Sequence, residues 1–330
     1  MTAARLQRWL VIGQLAAALA VAAWLVRLGW GWPAALATSL ALPPALHGLV
    51  LARHFVFARQ AGSRPPPEHR MGLPAMLRAW LIETGCSLRA FGWLQPFREG
   101  ARFPAPATAP DAGAARIPVL LVPGYLCNRA VWLPLAPRLA ARGHVVEAVS
   151  LDPPFADLDA HAATLAAAVD ALVERTGSPR VALVGHSMGG LAVRAYLRAH
   201  GTARVARVVT LGTPHRGTML ASFGIGESAR QMRRASDWLA ALEASEPAST
   251  RALMTIVLTH TDNIVVPQDD QSLPGARTVE FSGVGHLALM TDPRVCGVLE
   301  AELSDAATAH ETEPASRAHA TGPRPAAGAA

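Results

Sequence analysis

The stretch "RVALVGHSMGGLAVRAYLRAH", residues 180–200, indicates a strand, a tight turn and a helix in succession. Residues 180–185 form a nearly continuous apolar run, as strands covered on both faces do. Residues 188–200 have the spacing of a helix. The turn between them is a G-x-S-x-G sequence centred on Ser187. The question that this stretch raises is whether Ser187 is a nucleophile.

The position of Ser187 between a buried-type strand and a helix is the arrangement that a nucleophile elbow requires. Gly185 and Gly189, two residues before and two after the serine, leave the backbone room for a strained turn. A lone G-x-S-x-G in a glycine-rich chain would be weak evidence, but the strand–turn–helix context makes it specific. The sequence therefore predicts that Ser187 is a catalytic nucleophile.

Strand-like and helix-like segments alternate along residues 116–303. Strands joined by helices predict a parallel sheet with right-handed crossovers, and therefore an α/β fold. The predicted strands are residues 117–122, 144–151, 180–185, 207–212, 254–260 and 276–282, and the predicted helices are residues 129–142, 155–176 and 188–200.

A serine hydroxyl needs a base that takes its proton. In folds with a nucleophile elbow the partners follow in the chain order Ser, acid, His, at the ends of later strands. His286 in "SGVGHLAL" follows the last predicted strand, and Asp262 in "THTDNIVVP" follows the one before it. We predict His286 as the base and Asp262 as the acid, with Asp269 and Asp270 as alternative acids.

Acyl transfer also needs hydrogen-bond donors for the oxyanion. One predicted donor is the backbone N–H of Met188, the residue after the nucleophile. The other should come from the loop after the first strand, "PGYL", where Gly124 lets the chain turn. The N–H of Tyr125 is the favoured second donor, and that of Leu126 is the alternative.

The motifs "VPGY" at 122–125, "GHSMGG" at 185–190 and "LGTPHRGT" at 211–218 resemble those of α/β-hydrolases, and within that fold of bacterial lipases. "DNIVVP" and "GVGH" extend the resemblance, which covers roughly residues 116–303. Pro123 departs from it, because many members have His before the oxyanion-loop glycine.

The resemblance implies a serine esterase or lipase that acts on lipid acyl esters through an acyl-enzyme, with no metal and no organic cofactor. An acyltransferase or a thioesterase would use the same residues. A module of this fold that only binds a lipid or a protein partner is the non-enzymatic alternative.

Residues 214–250 form the longest stretch between predicted core strands. Lipases that this chain resembles often carry a lid, and Gly224 and Gly226 could serve as its hinges. An ordinary inserted pair of helices would give the same pattern, so both interpretations stay open.

Residues 1–60 contain two uncharged apolar segments, at 9–26 and 30–52. Eighteen helical residues span about 27 Å, close to the thickness of a bilayer core. Arginines flank the pair, and Arg27 alone lies between the segments, which predicts a transmembrane hairpin with the catalytic domain in the cytoplasm, at a bacterial-type inner membrane. A signal peptide, or a single span that places the domain in the periplasm, remain the alternatives.

Residues 61–115 read as a linker that contains an amphipathic helix at 73–97, which either lies on the membrane surface or packs on the catalytic domain. Residues 304–330 have no apolar period and are predicted to be a disordered tail. The sequence does not indicate an oligomeric state.

The chain has 330 residues and a formal charge of +6, with no lysine. No dense basic run and no nucleic-acid-binding pattern is present, so the charge favours anionic lipid over nucleic acid as a partner. The three cysteines are too widely spaced for a disulfide framework.

Overall fold

The computed structural model describes residues 1–106 and 116–318. Its centre is a six-stranded sheet in the order β2-β1-β3-β4-β5-β6, in which every neighbouring pair is parallel. The predicted parallel sheet is confirmed. The strands are β1 (Val119–Val122), β2 (Val146–Ala148), β3 (Val181–His186), β4 (Val205–Leu211), β5 (Met254–Thr259) and β6 (Arg277–Phe281).

Helices cover both faces of the sheet. Side chains alternate between the faces along each strand, so each strand places apolar side chains on both faces. Leu121 and Val184 pack on one face with α5 (Ala136–Ala141) and α11 (Pro293–Ala318). Leu120 and Leu183 pack on the other face with α6 (Leu158–Thr176), α7 (Met188–His200) and α9 (Asp237–Ser245). The sheet domain also contains the short helices α8 (Gly226–Gln231) and α10 (Ala248–Ala252).

Two long apolar helices precede the sheet domain, α1 (Ala3–Arg27) and α2 (Trp32–Ala61). They pack against each other, and Gly29 makes the turn between them with a φ of +91°. Their most apolar 18-residue windows have mean hydropathies of 2.1 and 1.5, yet only 11% and 22% of those windows are buried. Helices that expose this much apolar surface are unlike core helices of a soluble domain, although a signal sequence passes the same test of length and composition.

The free ends of this helix pair, rather than its exposed turn, meet the sheet domain. The backbone N–H of Ala3 donates to Oδ1 of Asp152 over 2.8 Å, at the start of α1. After the end of α2, the N–H of Ser63 donates to Oε1 of Gln268 over 2.9 Å. Both ends of the hairpin therefore lie on the same side, beside the domain.

The predicted amphipathic segment forms α3 (Leu73–Arg89), a π turn (Ala90–Leu94) and a short α4 (Gln95–Phe97). One side of α3 is buried against α2 and the sheet domain, with Ala79, Glu83 and Ser87 on it. The other side leaves Leu73, Leu77 and Leu81 exposed. The helix thus packs on the domain and also presents an apolar face to its surroundings.

The segment 214–250 is folded over the sheet as a 3₁₀ turn (Met219–Phe223) followed by α8, α9 and the start of α10. Leu239 and Leu242 of α9 are buried against the same face as α7. Gly226 has a φ of +83° and lies against Phe155, where an added Cβ would come within 2.5 Å of that side chain.

The predicted disordered tail, residues 304–330, does not begin where the sequence suggested. Helix α11 continues to Ala318, and Leu303 and Ala306 are buried against the sheet. Pro314 and the serines and threonines of this stretch have low helix propensity. The helix continues into it from a first half that is packed on the sheet. The rest of the predicted tail, residues 319–330, lies outside the described residues.

Candidate active site

Ser187 lies at the tip of β3, where the chain turns sharply into α7. Its backbone has φ 55° and ψ −128°, a conformation that non-glycine residues rarely adopt. A Cβ on Gly185 would come within 2.6 Å of Gly190, and one on Gly189 within 2.3 Å of the carbonyl oxygen of Val122. Close backbone approach therefore leaves no room for a side chain at either glycine.

Asp262 and His286 are joined at the same edge of the sheet, after β5 and β6. His286 Nδ1 lies 2.9 Å from Asp262 Oδ2. Because a carboxylate can only accept, Nδ1 carries the hydrogen and Nε2 is left as the acceptor. The other oxygen of Asp262 accepts the N–H groups of Ile264 and Val265, both over 2.8 Å. The alternative acid Asp270 instead accepts from Arg234 over 2.5 Å.

The residue before Ser187, His186, contacts His286 of this pair. The ring centroids of His186 and His286 are 4.7 Å apart, and His186 Nε2 donates to the carbonyl oxygen of His286 over 3.0 Å. Among the described residues no hydrogen bond joins Ser187 to the His286 ring. Such bonds are often long in structures without substrate.

The electrostatics distinguish the two histidines. Burial would lower the pKa of His286, but the Asp262 carboxylate, and at longer range Glu83, raise that pKa above its ordinary value. Burial and the neighbouring His286 hold the pKa of His186 well below its ordinary value. His286 can therefore take a proton, whereas His186 stays neutral and acts through packing and its one hydrogen bond.

The loop after Gly124 covers the elbow from the end of β1. A Cβ on Gly124 would come within 2.9 Å of the Ser187 Cβ. Leu126 has a φ of +57°, and its carbonyl oxygen accepts a hydrogen bond over 2.5 Å from the side chain of Gln7 on α1. No described residue accepts a hydrogen bond from the backbone N–H of Tyr125 or of Met188. Both groups thus remain free to bind an oxyanion.

A cavity of about 170 Å³ opens at Ser187. Its wall is mostly apolar. Most of the wall comes from the segment predicted as a lid, which contributes Leu220, Ala221 and Met232, and Ile264 and Val265 complete it. The Tyr125 hydroxyl donates to the carbonyl oxygen of Ile225 over 2.7 Å and accepts its N–H over 3.1 Å. The Tyr125 side chain therefore connects the loop after β1 to the segment predicted as a lid. The sequence suggested a role only for the backbone N–H of Tyr125.

The "LGTPHRGT" segment packs between the elbow and the Asp–His pair. A Cβ on Gly190 would come within 2.1 Å of Thr213, and one on Gly212 within 3.2 Å of both Asp262 and His286. His215 is buried and bonds Thr210 over 3.0 Å. The segment thus fixes the spacing between the predicted nucleophile and base.

Two residues that hold the His286 loop, Asn263 and Glu83, were not recognised from sequence. The side-chain oxygen of Asn263 accepts the N–H of His286 over 3.1 Å. Glu83, on α3, accepts the N–H groups of the two residues after His286. Asn263 follows Asp262 directly and could have been considered, whereas nothing in the sequence connects Glu83 with a loop some two hundred positions away.

One group of described side chains has the composition of a metal site. His69, His260 and Glu280 place ligand atoms within 4.8 Å of one another. His260 Nε2 lies 2.7 Å from a Glu280 carboxylate oxygen, whereas His260 Nδ1 is buried without a hydrogen-bond partner among the described residues. The group lies outside the Ser187 cavity, and its three members are absent from the residues that hold Asp262 and His286.

The chain is similar to known hydrolases in sequence. Residues 117–256 match the family model described as alpha/beta hydrolase fold. The chain is 34% identical over 131 residues to a triacylglycerol lipase of Burkholderia plantarii, covering 37% of this chain and 36% of the lipase. It is 48% identical over 59 residues to a triacylglycerol lipase of Pseudarthrobacter phenanthrenivorans, covering 18% of each.

The fold is also that of a solved lipase. The crystal structure of mature Bacillus licheniformis lipase BlEst2 superposes with a TM-score of 0.54 and 20% identity, over 60% of this chain and 95% of the lipase. The chain spans only about a third of the first curated lipase and under a fifth of the second.

Proposed function

We propose that this protein, which has the α/β-hydrolase fold and is similar to lipases, is a membrane-anchored serine esterase that hydrolyses lipid acyl esters. The observation that carries the proposal is the edge of the sheet at which Ser187, on a strained turn, opens into an apolar cavity beside the hydrogen-bonded Asp262–His286 pair. Acyl chains are apolar and ester carbonyls are electrophilic, so a cavity of this kind beside a serine suits an acyl ester.

In this proposal Ser187 Oγ attacks the ester carbonyl carbon while His286 Nε2 takes its proton. Asp262 holds the imidazole in the tautomer with hydrogen on Nδ1 and stabilises the imidazolium that forms. His286 then donates the proton to the leaving alcohol, which departs as the tetrahedral intermediate collapses. Water, activated by the same imidazole, attacks the acyl-enzyme and releases the acid.

The N–H groups of Tyr125 and Met188 would stabilise the oxyanion of both tetrahedral intermediates. Donors aimed at developing charge in a site that excludes water give a large share of the rate in acyl transfer. The strained turn at Ser187 supports this role, because it places the serine directly before Met188, the first residue of α7.

The helix pair α1 and α2 would anchor the enzyme in a membrane. Their exposed apolar surface and the position of both free ends beside the sheet domain support a hairpin that spans the bilayer twice. The exposed Leu73, Leu77 and Leu81 of α3 would then lie at the membrane surface, near a lipid substrate. The charge pattern around the helices favours the cytoplasmic side for the domain.

Hydrolysis of p-nitrophenyl esters of rising chain length by the full-length protein in detergent tests the activity. We expect the wild-type protein to turn over and Ser187→Ala to lose several orders of magnitude in kcat with its fold intact, as loss of a triad member does. Near-normal turnover by Ser187→Ala would contradict the mechanism. Turnover only when a second alcohol is present would instead favour an acyltransferase.

A further inference from the structure

Glu83 is a buried carboxylate beside the candidate active site, but it comes from outside the region that matches the hydrolase family. It lies in the middle of α3 and is 1% exposed. Oε1 accepts the N–H of Leu287 over 2.8 Å, and Oε2 accepts the N–H of Ala288 over 2.9 Å. These are the two residues that follow His286.

The loop is shaped to receive this side chain. A Cβ on Gly285 would come within 2.5 Å of Glu83 Oε2, so only glycine lets the loop approach the carboxylate. On the other side, Asn263 accepts the N–H of His286 and His186 donates to its carbonyl oxygen. Polar contacts thus hold the loop from both sides, and Glu83 makes two of them.

The hydrogen bonds of Glu83 and its burial act on its charge in opposite directions. Both oxygens of Glu83 accept from N–H groups, which suits the ionised form. Burial and the nearby Asp262 carboxylate raise the pKa of Glu83 above its ordinary value, and the two N–H groups and the charge of His286 offset only part of that rise. Among the described side chains, no cationic group forms an ion pair with Glu83 within 4.0 Å. The imidazolium formed during catalysis would be a favourable nearby cation for this carboxylate.

We propose that Glu83 is a positioning residue for acyl transfer, which fixes the His286 loop through Leu287 and Ala288 and whose negative charge favours the imidazolium of His286. The inference rests on the proposed function of His286 as the base. It extends the active site to α3, which packs against the membrane helix α2. The hydrolase core would therefore depend on the N-terminal helices for the geometry of its catalytic histidine.

A pair of substitutions separates geometry from charge. Glu83→Asp keeps the charge but is one methylene too short to reach both N–H groups. Glu83→Gln keeps the length but replaces one acceptor with a donor and removes the charge. Ser87→Ala is the matched control, because Ser87 is buried one turn along α3 and bonds His47 on α2 instead of the loop.

The experiment measures kcat and KM for a soluble short-chain ester across pH, with melting temperatures, on the full-length variants in detergent. We expect both Glu83 variants to lose roughly 10- to 100-fold in kcat, because small displacements of a catalytic group have effects of that size. KM should change little. In Glu83→Gln the acidic limb should also move to lower pH, since loss of a nearby negative charge lowers the pKa of His286. In Glu83→Asp the limb should stay near that of the wild type, and Ser87→Ala should resemble the wild type throughout.

Folded Glu83→Gln protein with wild-type kcat and an unmoved acidic limb would overturn the proposal. So would a loss of activity in Ser87→Ala equal to that in Glu83→Gln, which would indicate that α3 packing alone is responsible. The titration of the His286 Nδ1–H signal by proton NMR needs no substrate. If wild-type protein hydrolyses no ester, the proposed function fails, while an unmoved NMR midpoint in Glu83→Gln would separately refute the role of Glu83.

Discussion

Both carboxylate oxygens of Asp262 accept hydrogen bonds in the structure. One oxygen accepts two backbone N–H groups of its own loop, and the other faces His286. The side chain is completely buried. A carboxylate held on both sides in this way can orient an imidazole without moving itself, which is the role that the acid of a serine hydrolase performs.

Exchanging Asp262 for Asn is the sharpest substitution at this position. The amide oxygen could still accept from Ile264 and Val265, but the NH2 group would then face His286 Nδ1 and favour the wrong tautomer. We expect kcat for ester hydrolysis to fall roughly 10⁴-fold with the melting temperature little changed, as an acid-to-amide change at a triad does.

The matched control is Asp270→Asn, which removes a carboxylate paired with Arg234 instead of His286. We expect its kcat to stay within about tenfold of wild type. If Asp270→Asn were the inactive variant and Asp262→Asn the active one, the assignment of the acid would be wrong.

For single residues, the sequence predicts those that belong to short motifs. It does not predict contacts between residues that only the fold brings close together. Ser187, Asp262 and His286 follow from strand ends and chain order, because each belongs to a short recognisable segment. Glu83 does not, because its partners are the backbone N–H groups of a distant loop and backbone groups leave no trace in the sequence. The Tyr125 hydroxyl was missed for the same reason, since it bonds the backbone of Ile225.

Among the elements, the strands were predicted well because a parallel sheet buries both faces and so produces continuous apolar runs. Each of the six predicted runs overlaps one strand, although β3 ends one residue after its run and β4 begins two residues before its run. The strand β6 at the edge of the sheet is the most exposed of the six. The end of α11 was predicted poorly. Its second half has no apolar period, and it is helical as the continuation of a segment anchored by Leu303 and Ala306.

The segment predicted as a lid supplies much of the cavity wall, and Leu220 lies in its 3₁₀ turn. Leu220→Trp should fill part of the cavity of about 170 Å³. We expect kcat/KM for octanoyl esters to fall at least about tenfold relative to acetyl esters, because each methylene excluded from an apolar pocket is worth 1–3 kcal/mol, about 10- to 200-fold. Rates on the p-nitrophenyl ester series measure it.

The control for this substitution is Phe223→Ala in the same turn, where the side chain is 83% exposed and does not line the cavity. Its ratio of octanoyl to acetyl activity should stay near that of wild type in detergent solution. An unchanged ratio in Leu220→Trp would show that acyl chains bind elsewhere.

On the scale of the whole molecule, the apolar helix pair and the sheet domain meet at both free ends of the pair. Gln7 near the start of α1 bonds the oxyanion loop, and α3, packed on α2, bonds the His286 loop. An anchor attached at these two points would hold the active site close to the bilayer surface.

The topology can be measured with reporter fusions in a bacterial host. We expect a C-terminal fluorescent protein to be bright and an export-dependent phosphatase at the same point to be inactive, because arginines flank the helix pair. Phosphatase fused after Gly29, in the turn, should be active. Active phosphatase at both Gly29 and the C-terminus would indicate a single span and a domain on the outer side.

The central claim is that Ser187 is a nucleophile activated by His286, and labelling by a fluorophosphonate probe tests it most directly. Tryptic mass spectrometry of the labelled full-length protein should find the adduct on Ser187, and Ser187→Ala should take no label. Because the pKa of His286 is raised above its ordinary 6.5 and only the neutral imidazole accepts a proton, the labelling rate should fall as pH drops through that raised value. An adduct on another residue, or no adduct on folded protein at alkaline pH, would contradict the account.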